Sequence, residues 1–233
     1  MSVRVILCSA LLLLAQSLTA SDLVLEQQIA RQVEVGRPVG TLFRLQSGEV
    51  DFLAIHIPVR NAQPRGGVIL LHDRGMNPDW PDVVRPLRTR LPDHGWDTLA
   101  IQLPLASPGV PGWADPGLIA EALPRISAGV DFLRQRGAAN IVLLGHGLGA
   151  RMAIEYLRAA DNGGVRALVA VGLAANGDAG DDGGLAALRT SGFPLLDIYG
   201  SRDSDSVLAS ARARAGAARA APRTCCGSAC SAN

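Results

Sequence analysis

The stretch NIVLLGHGLGARMAIEYL, residues 140–157, limits the folds open to this chain more than any other part of it. Ile141 to Leu144 form a short unbroken apolar run, glycines follow at 145, 147 and 149, and apolar residues then recur at helical spacing. A buried strand, a turn tight enough to exclude side chains, and a helix folding back on the strand satisfy all three observations. An apolar strand without polar alternation needs cover on both faces, which helices on both sides of a parallel sheet provide.

The remaining elements fit that layout. Leu53, Ile55, Ile57 and Val59 alternate with Phe52, Ala54 and His56, as a strand over residues 50–59 requires. Before it we expect a short helix over 23–31 and an edge strand over 41–45. Residues 68–71 read as a second buried strand. A helix follows from Pro81, with Val83, Val84, Leu87 and Leu91 as its stripe, kinked or delayed by Pro86 and ended at His94-Gly95. A strand over 98–103 leads into a connection rich in proline and glycine, 104–117, placed to border a pocket. Further on we expect a helix over 118–136, a strand over 167–173, a loop over 174–184, a strand over 195–199, and a helix over 204–220 with a weak apolar face. Alternation of this kind implies an α/β, doubly wound, mostly parallel sheet.

With 233 residues, 48% of them hydrophobic, the chain can bury a large core and reads as a single domain over 21–222. A formal net charge of +1 excludes an electrostatic nucleic-acid binder, and 4% aromatic content is too sparse for base-stacking platforms. Every basic side chain apart from histidine is arginine, which together with the alanine and glycine content we read as a compositional bias. Residues 1–20 have the features of a secretory signal: Arg4, an apolar stretch over 5–15, and small residues around Ala20. That stretch is shorter than the roughly 20 residues of a comfortable membrane span. The expectation is therefore a periplasmic or secreted protein without a stable span after cleavage, with an uncleaved anchor as the alternative.

Gly145-His146-Gly147-Leu148-Gly149 has the spacing of the G-x-S-x-G nucleophile elbow, with Gly147 where the serine belongs. Together with Leu70-Leu71-His72 ending one strand and residues 194–203 ending the last, in that order, the pattern resembles the α/β-hydrolase superfamily over about residues 50–203. More narrowly, LLHDRGMNPDWP, DTLAIQLP and GHGLGA are similar to an uncharacterised bacterial family within it, a domain of unknown function. The resemblance implies an oxyanion loop at His72, Asp73, Arg74 and Gly75, an elbow at Gly145, Gly147, Leu148 and Gly149, and a catalytic-acid position at Asp203. It also implies a serine and a late histidine, but no histidine follows His146, and the superfamily's last strand and helix are missing. The fold expected is thus of α/β-hydrolase type, truncated at its C-terminal edge.

Each candidate residue carries two readings. His146 is either a base or nucleophile beside a pocket or a hydrogen-bonded packing residue. Asp73 and Arg74 either border a ligand at the carboxyl end of a strand or pair within their own loop. Asp203 either faces a pocket or caps the following helix, and Asp197, inside a strand, needs a partner if buried. The function expected is a hydrolase-like protein of unknown substrate that binds a small acyl or organic molecule without serine catalysis. The alternative is an esterase-type hydrolase in which His146 or Asp73 activates water. Gly145-x-Gly147-x-x-Ala150 also meets the dinucleotide fingerprint, a remoter reading because the next strand ends in Val171-Gly172-Leu173 without its acidic residue. No cofactor or metal is called for. Cys225, Cys226 and Cys230 in the atypical tail, 223–233, are odd in number and lack ligand spacing, so we read the tail as an altered terminus.

Overall fold

A computed structural model describes residues 20–60, 63–109, 116–158, 163–175, 184–190 and 192–221. Residues 1–19 and the three tail cysteines lie outside them. The chain runs α1 (Leu23–Val35), β1 (Thr41–Ser47), β2 (Val50–Ile57), β3 (Gly66–Leu71), α2 (Val84–Arg90), β4 (Trp96–Ile101) and α3 (Pro116–Gln135). It continues through β5 (Ile141–His146), α4 (Leu148–Arg158), β6 (Val165–Val171), α5 (Leu185–Thr190), β7 (Leu195–Ile198) and α6 (Asp205–Ala220). The strands form one seven-stranded sheet in the order β1-β2-β4-β3-β5-β6-β7. The β1–β2 and β2–β4 pairings are antiparallel and the rest are parallel, so the doubly wound, mostly parallel sheet expected from the sequence is what forms.

The central strands β3 and β5 bury Ile69, Leu71 and Leu143 completely against a core shared with α3 and α4. Val68, Leu70 and Leu144 point to the opposite face, where α2 covers them. Full burial of a side chain of this size contributes roughly 2 kcal/mol, so these two layers dominate the fold's stability.

Three differences from expectation have local causes. The helix placed from Pro81 begins at Val84, after a turn in which Arg85 N–H donates to Trp80 O at 2.9 Å. Pro86 then sits in the first helical turn, where its missing N–H costs nothing. Leu91–His94 tightens into a 3-10 turn closed by Gly95 in the left-handed region, φ 89°. Helix α5 was not foreseen, because six residues are too few to show a period. Helix α6 does have an inner face, made of Val207, Ser210, Arg214 and Ala217. Arg214 is fully buried there and supplies the partner that Asp197 needs, through a 2.9 Å ion pair. It also donates to Val207 O at 2.8 Å and Ser210 Oγ at 2.6 Å. Among the described residues β7 is the sheet edge, with Leu196 56% and Ile198 45% exposed.

Candidate functional site

The turn from β5 to α4 is as tight as its glycines require. Gly147 has φ +50°, its N–H donates to Val171 O at 2.9 Å, and its carbonyl accepts from Ala150 N–H at 3.1 Å. A Cβ at Gly145 would collide with the backbone of Ala150, and one at Gly149 would lie 2.6 Å from the carbonyl oxygens of Leu71 and His72. Both glycines are therefore spacers that let α4 close on β5 and on the end of β3.

Asp73, just beyond β3, points its carboxylate at this turn. Its Oδ1 accepts from Leu148 N–H at 2.7 Å and from Arg74 N–H at 2.7 Å. The same carboxylate fills the space over Gly147: a Cβ added there would fall within the van der Waals radii of Asp73 Cγ, Oδ1 and Oδ2. Glycine at 147 and aspartate at 73 are therefore sterically matched. Gly75, also at the oxyanion-loop position, adopts φ +68° with nothing packed against it and lets the loop turn.

His72 is not in the cleft. It is 1% exposed, and its Nε2 accepts from Leu103 N–H at 2.9 Å with Gln102 Nε2 at 3.1 Å, so the neutral ring carries its proton on Nδ1 and donates to Asp73 O at 2.8 Å. Burial pushes its pKa down to about 4, against the upward pull of the Asp73 carbonyl and carboxylate, while Arg125 and His146 push it lower. Its role is to tie the segment after β3 to the end of β4.

A cleft of about 330 Å³ opens above Asp73 and Gly147, walled by Arg74, His146, Leu148, Arg151, Gly172, Ala174, Asp203, Ser204, Ser206 and Val207. His146 thus lines the cleft, and its Nδ1 is buried with no hydrogen-bond partner among the described residues. The His146 ring and Asp203 Oδ2 converge over Gly172, each about 3.7 Å from where its Cβ would be. Asp203 also accepts from Ser204 N–H at 2.9 Å and Gly200 N–H at 3.3 Å, closing the turn ahead of α6, whose N-cap is Ser204, while the same side chain lines the cleft. The far wall comes from α6 and the loop before it. The described part of the 104–117 connection contributes nothing there; Leu105 N–H donates instead to Glu26 Oε1 on α1. Arg151 was missed from sequence, although it follows Gly147 by one helical turn and so shares its face. The α6 residues carry no motif that could have announced them. Among the described residues no group of three or more His, Cys, Asp or Glu side chains could hold a metal, and no helix is long and apolar enough to cross a membrane.

The sequence profile of a family described as a protein of unknown function, DUF3530, matches residues 42–117 and 114–224. The chain belongs to that family. No curated protein matches it. Among solved structures, this DUF3530 chain is similar to a protein proposed to be a dienelactone hydrolase from Klebsiella pneumoniae, with TM-score 0.61, 18% identity, and 77% of this chain and 80% of that one covered. It is also similar to the Pyrococcus furiosus esterase Pf2001, with TM-score 0.61, 16% identity and 82% of each chain covered. Est1E from Butyrivibrio proteoclasticus gives TM-score 0.60 at 13% identity, with 79% of this chain and 88% of that one covered. At these identities the likeness establishes the α/β-hydrolase fold and no more.

Proposed function

We propose that this DUF3530 chain is a hydrolase-like protein whose cleft holds a small acyl or other organic ligand without covalent catalysis. One observation carries the reading: the carboxylate of Asp73 stands where a nucleophile's side chain would extend from residue 147, and it takes the Leu148 amide that would otherwise face a developing oxyanion. A cleft of about 330 Å³ is within the range of small-molecule sites, with Leu148, Ala174 and Val207 as its apolar surface. The occupied amides also speak against the dinucleotide reading, which needs them for pyrophosphate. Calorimetry and ligand-detected NMR with acyl and glycan compounds test the proposal; a folded sample that binds none of them refutes it.

A second reading is favoured by His146, unpartnered at Nδ1 and converging with Asp203. There the imidazole takes a proton from a water as that water attacks an ester carbonyl, and it returns the proton to the departing alkoxide as the ester C–O bond breaks, leaving acid and alcohol. It requires measurable ester hydrolysis that disappears in His146→Ala while the fold is retained. We further propose that residues 1–20 direct export to the periplasm or medium, supported by their charge, apolar stretch and small residues near Ala20.

A further inference from the structure

The Arg74 and Leu148 amides converge on one oxygen, and that oxygen already belongs to an anion. The anion is internal, on a side chain only partly buried, and it borders a cleft whose lining includes Arg74 and Arg151, the latter paired with Glu155 at 3.5 Å. No other residue holds the Asp73 carboxylate among the contacts described, so rotation about its side-chain bonds is enough to free the amides. We propose that Asp73 is a carboxylate latch, and that the ligand of the cleft is a carboxylate- or oxyanion-bearing molecule whose anionic end takes the latch's place on these two amides. This rests on the ligand-binding reading of the same cleft, and it adds the chemical class of the ligand and the means by which the empty site is kept closed.

Two physical consequences follow. An external anion must compete with a tethered one, so its apparent affinity falls by the fraction of time the latch is open. When the latch swings out, the negative charge leaves the cleft beside Arg74, and the entering anion meets two main-chain donors already aimed at a single point. Gly147 is part of the device, because any side chain there would hold the latch open permanently.

The test compares the full chain with its Asp73→Ala and Asp73→Asn variants, using acetate as the probe and chloride at matched ionic strength as the control. The readouts are the amide resonances of Leu148 and Arg74 and the thermal midpoint. In Asp73→Ala, acetate is expected to shift both amides saturably and raise the midpoint, with half-saturation at about 100-fold lower acetate than in the unsubstituted chain. Asp73→Asn, which keeps the volume and one acceptor, is expected to show no such gain. If Asp73→Ala does not fold alone, refolding in about 0.5 M acetate but not in chloride supports the latch, by the stabilisation that any native-state ligand brings. A folded Asp73→Ala whose amides ignore acetate, equal responses in the variant and the unsubstituted chain, or a variant that stays unfolded in acetate each overturn it. Ligand binding by the unsubstituted chain alongside a silent acetate response would sink the latch and leave the ligand-binding reading standing. Acetate filling the variant while the compound panel stays silent on the unsubstituted chain would do the reverse.

Discussion

Replacing Gly147 with alanine isolates the contact on which the site reading depends. The substitution adds one carbon at φ +50°, where a non-glycine residue costs about 1 kcal/mol. It also drives out the Asp73 carboxylate, which loses its hydrogen bonds from the Leu148 and Arg74 amides. These bonds are charge-assisted but only partly buried, so about 1 kcal/mol each is appropriate. The expected destabilisation is about 3 kcal/mol in the unsubstituted chain. In an Asp73→Ala background the carboxylate is already gone, leaving only the backbone strain of about 1 kcal/mol. A double-mutant cycle by equilibrium urea unfolding should therefore return a coupling of about 2 kcal/mol between positions 73 and 147. If Gly147→Ala costs the same in both backgrounds, within about 0.5 kcal/mol, the carboxylate does not occupy that space and the argument fails.

Other perturbations probe the rest of the structure. Arg214→Ala removes the partner of Asp197 from a fully buried position and should destabilise the chain by about 3 kcal/mol, measured as a drop in urea midpoint; an effect under about 1 kcal/mol would show the pair to be dispensable. His72 stays neutral down to about pH 4 in the folded chain, whereas the unfolded side chain takes a proton near pH 6.5. Its contribution is full above the unfolded value and declines as pH falls towards 4, by about 3 kcal/mol in total. In His72→Gln the unfolding free energy should lose that slope between pH 6.5 and 4; an unchanged slope, or an NMR titration near the ordinary value, would refute it. Gly149→Ala places a Cβ against the Leu71 and His72 carbonyls and should lower the thermal midpoint by many degrees, while Gly75→Ala, in open space, should cost no more than its left-handed backbone demands. The proposed export predicts a periplasmic or secreted product with the mass of residues 21–233, and whole-protein mass spectrometry of an intact leader would count against it.

The layout of the sheet was legible because its strands differ in kind. Residues 68–71 and 141–144 are apolar without interruption and became central strands, whereas the alternating stretch at 50–57 became an antiparallel strand nearer the edge. Glycines at 145, 147 and 149 fixed the turn, since two of them are places where backbones meet and one has a positive φ. Helix α6 was legible as a helix but not as a packing surface. Its inner stripe contains a serine and an arginine, and no apolar pattern reveals that Asp197 will be waiting for the arginine across the interface.

For the site, the chain's sequence by itself determined that glycine stands at 147 and that none of the four histidines follows His146. It placed Asp73 just after the strand over 68–71 and His146 beside the turn. Only the tertiary structure decided that Asp73 lies over Gly147, that His72 is buried and held neutral while His146 faces the cleft, and that α6 closes the far wall. The reason is one of range. Strand, turn and helix are set by contacts a few residues apart, which a linear pattern records, whereas the meeting of residues 73 and 147 depends on β3 and β5 lying side by side in parallel register, a pairing made across a long crossover whose outcome no local pattern encodes.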